Sequence, residues 1–359
     1  MAARLASLDS IRGIAVLMVV AAHLTATLGS ELAHNIYAVG VHGVDVFFAL
    51  SGFLIAGILL ENQASPRVIR TFYARRAFRI LPVYLLLLAS FMATRAIDAH
   101  FQFGLGAYFY LPPGMAWSYA LLLQNNVMAY FNVMLPTWLI VTWSLAAEEQ
   151  FYLASPWIAK IFRPKSIALL CLLAMGLCPV LRYAFVVNGS WLPAAILLVC
   201  KADAICVGVL VAVAYRTNAL NRIGRTRLGL LAAVFGVLAV VVTCRTGSIL
   251  AYDHSSLVWI LVWQPTLWAL SSMLLVAWLV TLPANREIGL FSYAGKTSYF
   301  VYLFHLPAIL VGTMLAGRYH VNYWVACGGC LALTWIAAEV SWRRMEKPGQ
   351  EYARARFRY

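Results

Sequence analysis

Charge is what this sequence most lacks. Asp, Glu, Lys and Arg make up 11% of its 359 residues, less than half of the roughly 25% usual in a soluble domain. Apolar residues fill the gap, at 63%. They gather into runs of about 20 residues from end to end, each long enough to cross a hydrocarbon core of about 30 Å. Also missing is any polar stretch that would make a soluble module, so residues 1–359 read as one transmembrane domain. No small-residue cleavage site follows the first apolar run, Ile11 to Leu28, which reads as a retained helix and not a signal peptide. No inverted internal repeat of the transporter kind is found, and no low-complexity tract.

Several chemical signatures are absent too. Without a Walker motif or GxGxxG, an ATP-driven pump is not indicated. Without HxxxH, HExxH or a Cys/His set, no metal site is expected. The seven cysteines all lie in or beside apolar runs, which argues against a disulfide framework. Cys327-Gly-Gly-Cys330 has redox spacing, but its position inside an apolar run fits small residues at a helix contact. The net charge of +14 does not point to nucleic acid, because the basic residues sit in short loops between apolar runs.

What is present is an all-α pattern of about ten transmembrane helices, near 9–28, 42–60, 80–97, 143–162, 166–186, 193–215, 228–244, 257–281, 298–315 and 322–341. A further stretch near 115–136 holds Gln124, Asn125, Asn126 and Asn132 and meets Pro136, and it reads as re-entrant or interfacial. With that assignment all but six of the 27 Lys and Arg residues fall in or beside segments on one side. Arg95, Arg182, Arg245 and Arg318 lie towards the other side, and Arg12 and Lys201 within spans. This asymmetry puts both termini in the cytoplasm.

Ionisable groups inside a membrane are costly and invite a functional reading. Arg12 and His23 share a face of the first span, roughly 16 Å apart along the helix. Either has a plain alternative, a snorkelling end residue or a packed histidine. Asp45 opens the second span and either orients a histidine or sits among headgroups. Glu148 and Glu149 lie side by side in the outer half of a later span, where about 100° of rotation lets only one of them face the same cavity as His23; a structural ion pair with Lys201 or Arg182 is the alternative. Lys201 and Asp203 can pair with partners on other helices, and His305 reads as a packed, hydrogen-bonded histidine. Arg75, Arg76 and Arg79 form a basic cluster, either a topology and lipid-phosphate signal or a clamp for the phosphates of a nucleotide cofactor.

Taken together, these residues make the chain resemble the membrane acyltransferase-3 family over nearly its whole length. The resemblance is carried by the Arg12–His23 spacing, the Gly43-to-Phe53 segment, Arg75-Arg76-Ala77-Phe78-Arg79, the Trp143-to-Tyr152 segment and Ser298-to-His305. It implies an acyl-CoA-dependent O-acyltransferase of a bacterial inner membrane. Acetyl-CoA is the expected donor and co-substrate, and a hydroxyl of an extracytoplasmic glycan or glycolipid the expected acceptor. It further implies that His23 is essential, that Glu148 rather than Glu149 is the functional acid, and that Arg12 and the Arg75–Arg79 group hold the donor. Ser51 and Lys201 are grouped with the donor site, although Lys201 stands where many relatives carry Arg. The C-terminal esterase-like domain of many relatives is not expected within these 359 residues. A neutral imidazole, with a reference pKa of about 6.5, can accept a hydroxyl proton near neutral pH. His23 is accordingly expected to be a general base, its tautomer fixed by Glu148 or Asp45; an acyl-imidazole on His23 is the competing mechanism. A transporter or flippase without acyl-transfer chemistry is the alternative reading.

Overall fold

A computed structural model describes residues 6–102, 104–112, 114–134, 136–248, 256–282 and 289–359. Every regular element among them is helical. In chain order these are α1 (Ala6–Thr25), α2 (Glu31–Gly40), α3 (Gly43–Glu61) and α4 (Val68–Phe101). Three short helices follow, α5 (Gly106–Phe109), α6 (Ala116–Ala120) and α7 (Gln124–Phe131), then a 3-10 turn (Thr137–Leu139). Next come α8 (Thr142–Ile161), α9 (Pro164–Val187), α10 (Trp191–Ile196), α11 (Leu198–Arg216), α12 (Ala219–Ile223) and α13 (Arg225–Thr246). A π turn (Trp259–Trp263) enters α14 (Gln264–Leu279), followed by α15 (Gly289–Tyr319) and α16 (Tyr323–Ser341). A second π turn (Trp342–Glu346) leads into α17 (Lys347–Arg356).

Nine helical stretches among the described residues are long and apolar enough to cross a membrane, and this is a multi-pass membrane protein. The one expected span not among these nine is the fourth, α8, whose 20 residues are about 30 Å long but carry Glu148, Glu149 and Lys160. The 115–136 stretch does not form a span. Left-handed residues at Leu122 (φ 55°) and Asn132 (φ 53°) end its short helices, and the eight residues of α7 cover only about 12 Å. Trp117, Tyr130 and Phe131 are exposed there, the aromatic composition of a membrane–water interface.

The chain forms two compact units. The first comprises Met1–Ala64 and Ala147–Lys296. Its centre is α3, from Gly43 to Leu60 mostly buried, crossing α11 at a mutual notch. A Cβ on Gly52 would lie 2.0 Å from the Ile205 carbonyl oxygen, and one on Gly208 1.9 Å from that of Ala49. Close backbone approach through small residues is how helices associate where apolar lipid gives no driving force. By contrast, α9 and α13 expose Leu169, Leu173, Val180, Leu230, Val234 and Val237, as a lipid-facing surface requires.

The second unit comprises Ser65–Ala146 and Thr297–Tyr359. Its long α4 contains Pro82 and accepts a hydrogen bond from the Tyr299 hydroxyl at the Ile80 carbonyl, 2.9 Å. Here α15 meets α16 where a Cβ on Gly312 would lie 2.7 Å from Cys327 Cα. The small-residue contact expected of the Cys327–Cys330 stretch therefore runs through Cys327, while Gly328 and Gly329 face open space. All seven cysteines are free.

Candidate active site

In the first unit, His23 sits in the last turn of α1. Its Nδ1 lies 2.9 Å from the carbonyl oxygen of Val19, one turn back. A carbonyl only accepts, so Nδ1 carries the hydrogen and the neutral ring keeps its lone pair on Nε2. The ring meets Tyr37 of α2 edge-on at 6.3 Å. Neither Glu148 nor Asp45 fixes this tautomer, as the sequence had suggested; the carbonyl four residues back on the same helix is simply nearer to hand.

Asp45 is buried and fully engaged. Its Oδ2 accepts from His42 Nδ1 at 2.6 Å and its Oδ1 from Lys201 Nζ at 3.3 Å. His42 stacks on Trp268 at 4.9 Å and reaches Gln264 Oε1 through Nε2 at 3.3 Å. Gln264 in turn donates to Thr246 Oγ1 at 2.5 Å and to the Gly247 carbonyl at 3.0 Å. A carbonyl cannot donate, so the amide orientation is fixed. One chain of contacts thus ties α11, α3, α14 and the end of α13. Asp45 does orient a histidine, but it is His42. Sequence reasoning passed over His42, although its three-residue spacing from Asp45 was a readable signal.

Glu148 accepts from two hydroxyls, Ser51 on α3 and Tyr152 one turn along α8. The Tyr152 hydroxyl oxygen also lies 3.3 Å from Ser51 Oγ. The suggested ion pairs of this acid with Lys201 or Arg182 are not formed. Arg182 instead donates to Asp203 Oδ2 at 2.7 Å, to Thr266 Oγ1 at 2.6 Å and to the Cys200 carbonyl at 2.7 Å. This pair is 0% and 1% exposed, which gives Asp203 its expected partner on another helix. Arg12 donates to Asp9 Oδ1 at 3.1 Å. Arg12, Ser51 and Lys201, assigned to the donor by resemblance, are therefore each bonded to a carboxylate of this chain.

In the second unit, Arg75 and Arg76 lie on the first turns of α4. Arg75 Nε donates to the Phe357 carbonyl at 2.9 Å, and its guanidinium lies 4.6 Å from the Tyr359 ring centroid. Thr71 donates to the Arg358 carbonyl at 3.1 Å. Burial raises the Tyr359 phenol above its ordinary pKa, against a downward pull from Arg75 and Arg76; it stays neutral and offers its face to the cation. The Arg76 guanidinium lies 5.7 Å from the Phe72 ring centroid. Arg79 is on the same helix. His305 is fully buried, with Nδ1 2.7 Å from the Tyr302 carbonyl, the packed role expected of it.

A multi-pass helical bundle with charged and hydroxyl groups paired in its interior defines the broad class, a membrane protein with internal polar chemistry. The particular family follows from comparison. The chain belongs to the acyltransferase-3 family, whose model, described as an acyltransferase domain, matches residues 5–339. Among curated proteins it is similar to the peptidoglycan O-acetyltransferase OatA of Listeria monocytogenes, 29% identical over 95% of this chain and 55% of that protein. The O-acetyltransferase OatA of Staphylococcus aureus is 31% identical over 50% of this chain and 30% of its own length. The putative peptidoglycan O-acetyltransferase YrhL of Bacillus subtilis is 32% identical over 42% and 23%. The chain thus spans about half the length, or less, of these relatives. No solved structure matches it.

Proposed function

We propose that this protein moves an acyl group, most simply acetyl, from cytoplasmic acyl-CoA to a hydroxyl of an extracytoplasmic glycan or glycolipid, in a bacterial inner membrane. The observation that carries this reading is the fixed tautomer of His23: with Nδ1 donating to Val19 at 2.9 Å, the Nε2 lone pair is the one able to act as base. Nε2 takes the proton of the acceptor hydroxyl as its oxygen attacks the thioester carbonyl. The carbon–sulfur bond then breaks, and the imidazolium returns the proton to the departing CoA sulfur. The names of the relatives support an acetyl group and a cell-wall glycan.

The Arg75, Arg76 and Arg79 group is proposed to hold the donor phosphates, since guanidinium–phosphate bonds are charge-assisted. Glu148 and Asp45 then act through their neighbours: Glu148 by fixing Ser51 and Tyr152, Asp45 by fixing His42 and Lys201. The test is purified protein with acetyl-labelled acetyl-CoA and a soluble peptidoglycan fragment. Base-labile label should appear on the glycan and depend on His23. Purified, folded protein that moves a substrate across vesicles but transfers no label would overturn the reading in favour of a transporter.

A further inference from the structure

In the first unit, His42 sits between two groups that can only accept. Its Nδ1 lies 2.6 Å from Asp45 Oδ2 and its Nε2 3.3 Å from Gln264 Oε1. Asp45 takes Lys201 Nζ at 3.3 Å on its other oxygen, as an ionised carboxylate does. The Gln264 amide cannot turn its nitrogen towards the ring. That nitrogen is spent on Thr246 Oγ1 and the Gly247 carbonyl, and the Thr246 hydroxyl hydrogen on the Val242 carbonyl at 2.8 Å. A neutral imidazole has one N–H, and the ring here needs two. Trp268 lies nearly parallel to it, 9° between planes and 4.9 Å between centroids, and offers its π face to positive charge. Asp45 and, through it, Lys201 are the charges that the described contacts bring to His42. From α13, Thr243 holds the Trp268 N–H at 3.0 Å, while Arg245 is exposed. Against neighbouring Gly43, α1 places Ala15, Met18 and Val19. On the α2 side, the Val39 carbonyl accepts from the His42 backbone N–H at 3.2 Å.

We propose that His42 is an imidazolium at working pH and a positioning residue, its second proton holding α14 against α3. Losing that proton puts a lone pair on Nε2 opposite Gln264 Oε1, because the Asp45 carboxylate keeps the Nδ1 hydrogen. The contact between α3 and α14 then turns repulsive, and Gln264, 2% exposed, is left with a buried acceptor and no donor. The sign is opposite to that of His23. His42 works charged and fails as pH rises; His23, as a base, works neutral and fails as pH falls. Transfer therefore has two pH limbs, each belonging to a different histidine. With both termini in the cytoplasm, the His42 end of α3 and the Gly247 end of α13 lie on the outer side, so the alkaline limb answers to pH outside the membrane. The two limbs rest on the acyl-transfer reading; the charge on His42 does not.

The experiment uses the full chain in bilayers with isotope-labelled histidine nitrogens. The resonances that vanish in His42→Gln are those of His42, and in wild type at neutral pH both should be protonated nitrogens. One bare nitrogen would overturn the proposal. Acetyl transfer by wild type should rise and then fall with pH, and His42→Gln should lose the alkaline fall while keeping the acid one. A merely structural residue would lower activity at every pH alike, and an alkaline limb unchanged in His42→Gln would overturn the positioning role. Two further variants read the charge by thermal unfolding and decide the matter if His42→Gln does not fold. With His42 charged, Lys201→Met leaves Asp45 balanced, whereas Asp45→Asn strands two cations, so Lys201→Met should lower the melting temperature less. Equal losses, or a larger one in Lys201→Met, would mean a neutral His42 and reject the proposal. A folded wild type that transfers no acetyl group would sink the enzymatic reading and leave the spectrum and the melting temperatures to judge His42.

Discussion

His23 donates from Nδ1 to the Val19 carbonyl at 2.9 Å, so a backbone group on the same helix takes the place that a carboxylate holds in many histidine-based sites. A neutral carbonyl fixes the tautomer but does little to stabilise the imidazolium. That suits the proposed reaction, whose acyl donor is already an activated thioester. His23→Ala should lose transfer by a factor of about 10² or more and keep its affinity for acyl-CoA. Rapid mixing with labelled acetyl-CoA in the absence of acceptor should leave no label on His23. A label there that forms and discharges at the rate of turnover would establish the acyl-imidazole route instead.

The arginine cluster divides into two kinds of residue. Arg76→Ala or Arg79→Ala should weaken CoA binding about tenfold or more, the loss of a charge-assisted contact worth about 1.5–3 kcal/mol, with acceptor binding unchanged. Arg75→Ala should also loosen the Phe357–Tyr359 segment, which it holds at the Phe357 carbonyl and the Tyr359 ring. Limited proteolysis near that segment should therefore speed up in Arg75→Ala and not in Arg79→Ala. Wild-type CoA affinity in both folded Arg76 and Arg79 variants would reduce the cluster to a topology signal.

Topology can be read with reporter fusions. Those after Arg79, Arg227 and the C-terminal residue of this chain should report cytoplasm, and one near Asn188 the opposite side. An outside signal at Arg227 would require a different number of crossings before it.

Arg182 and Asp203 make a pair with almost no solvent contact. Removing one partner strands the other's charge. Arg182→Met alone should destabilise by about 3–5 kcal/mol, and adding Asp203→Leu should restore most of that loss. Thermal unfolding in detergent checks both. Equal melting temperatures for the single and double variants would mean that the stranded carboxylate finds another partner.

Helix positions were largely legible because apolar runs bounded by basic loops leave few alternatives in lipid. The expected 42–60 and 166–186 spans became Gly43–Glu61 and Pro164–Val187. Extents were less legible: α4 begins at Val68, well before the expected 80, because Arg75, Arg76 and Arg79 continue the helix out of the apolar run. Partner choice was least legible. The sequence marks Asp45, Lys201, Arg182 and Asp203 as groups in need of partners. Which pairs form depends on helix rotation and depth, and no single run encodes those. His42 was overlooked for the same reason, since its value lies in Asp45 on one side and Gln264, 222 residues away, on the other.

The Gly52–Gly208 notch has a mechanical consequence. With a missing side chain on each helix filled by the other's backbone, α3 and α11 cannot slide lengthwise without driving a carbonyl into a Cβ. The pair behaves as one stiff beam carrying Asp45 and Ser51 on one flange and Lys201 on the other. The heights of these three side chains relative to one another are therefore set by the notch itself.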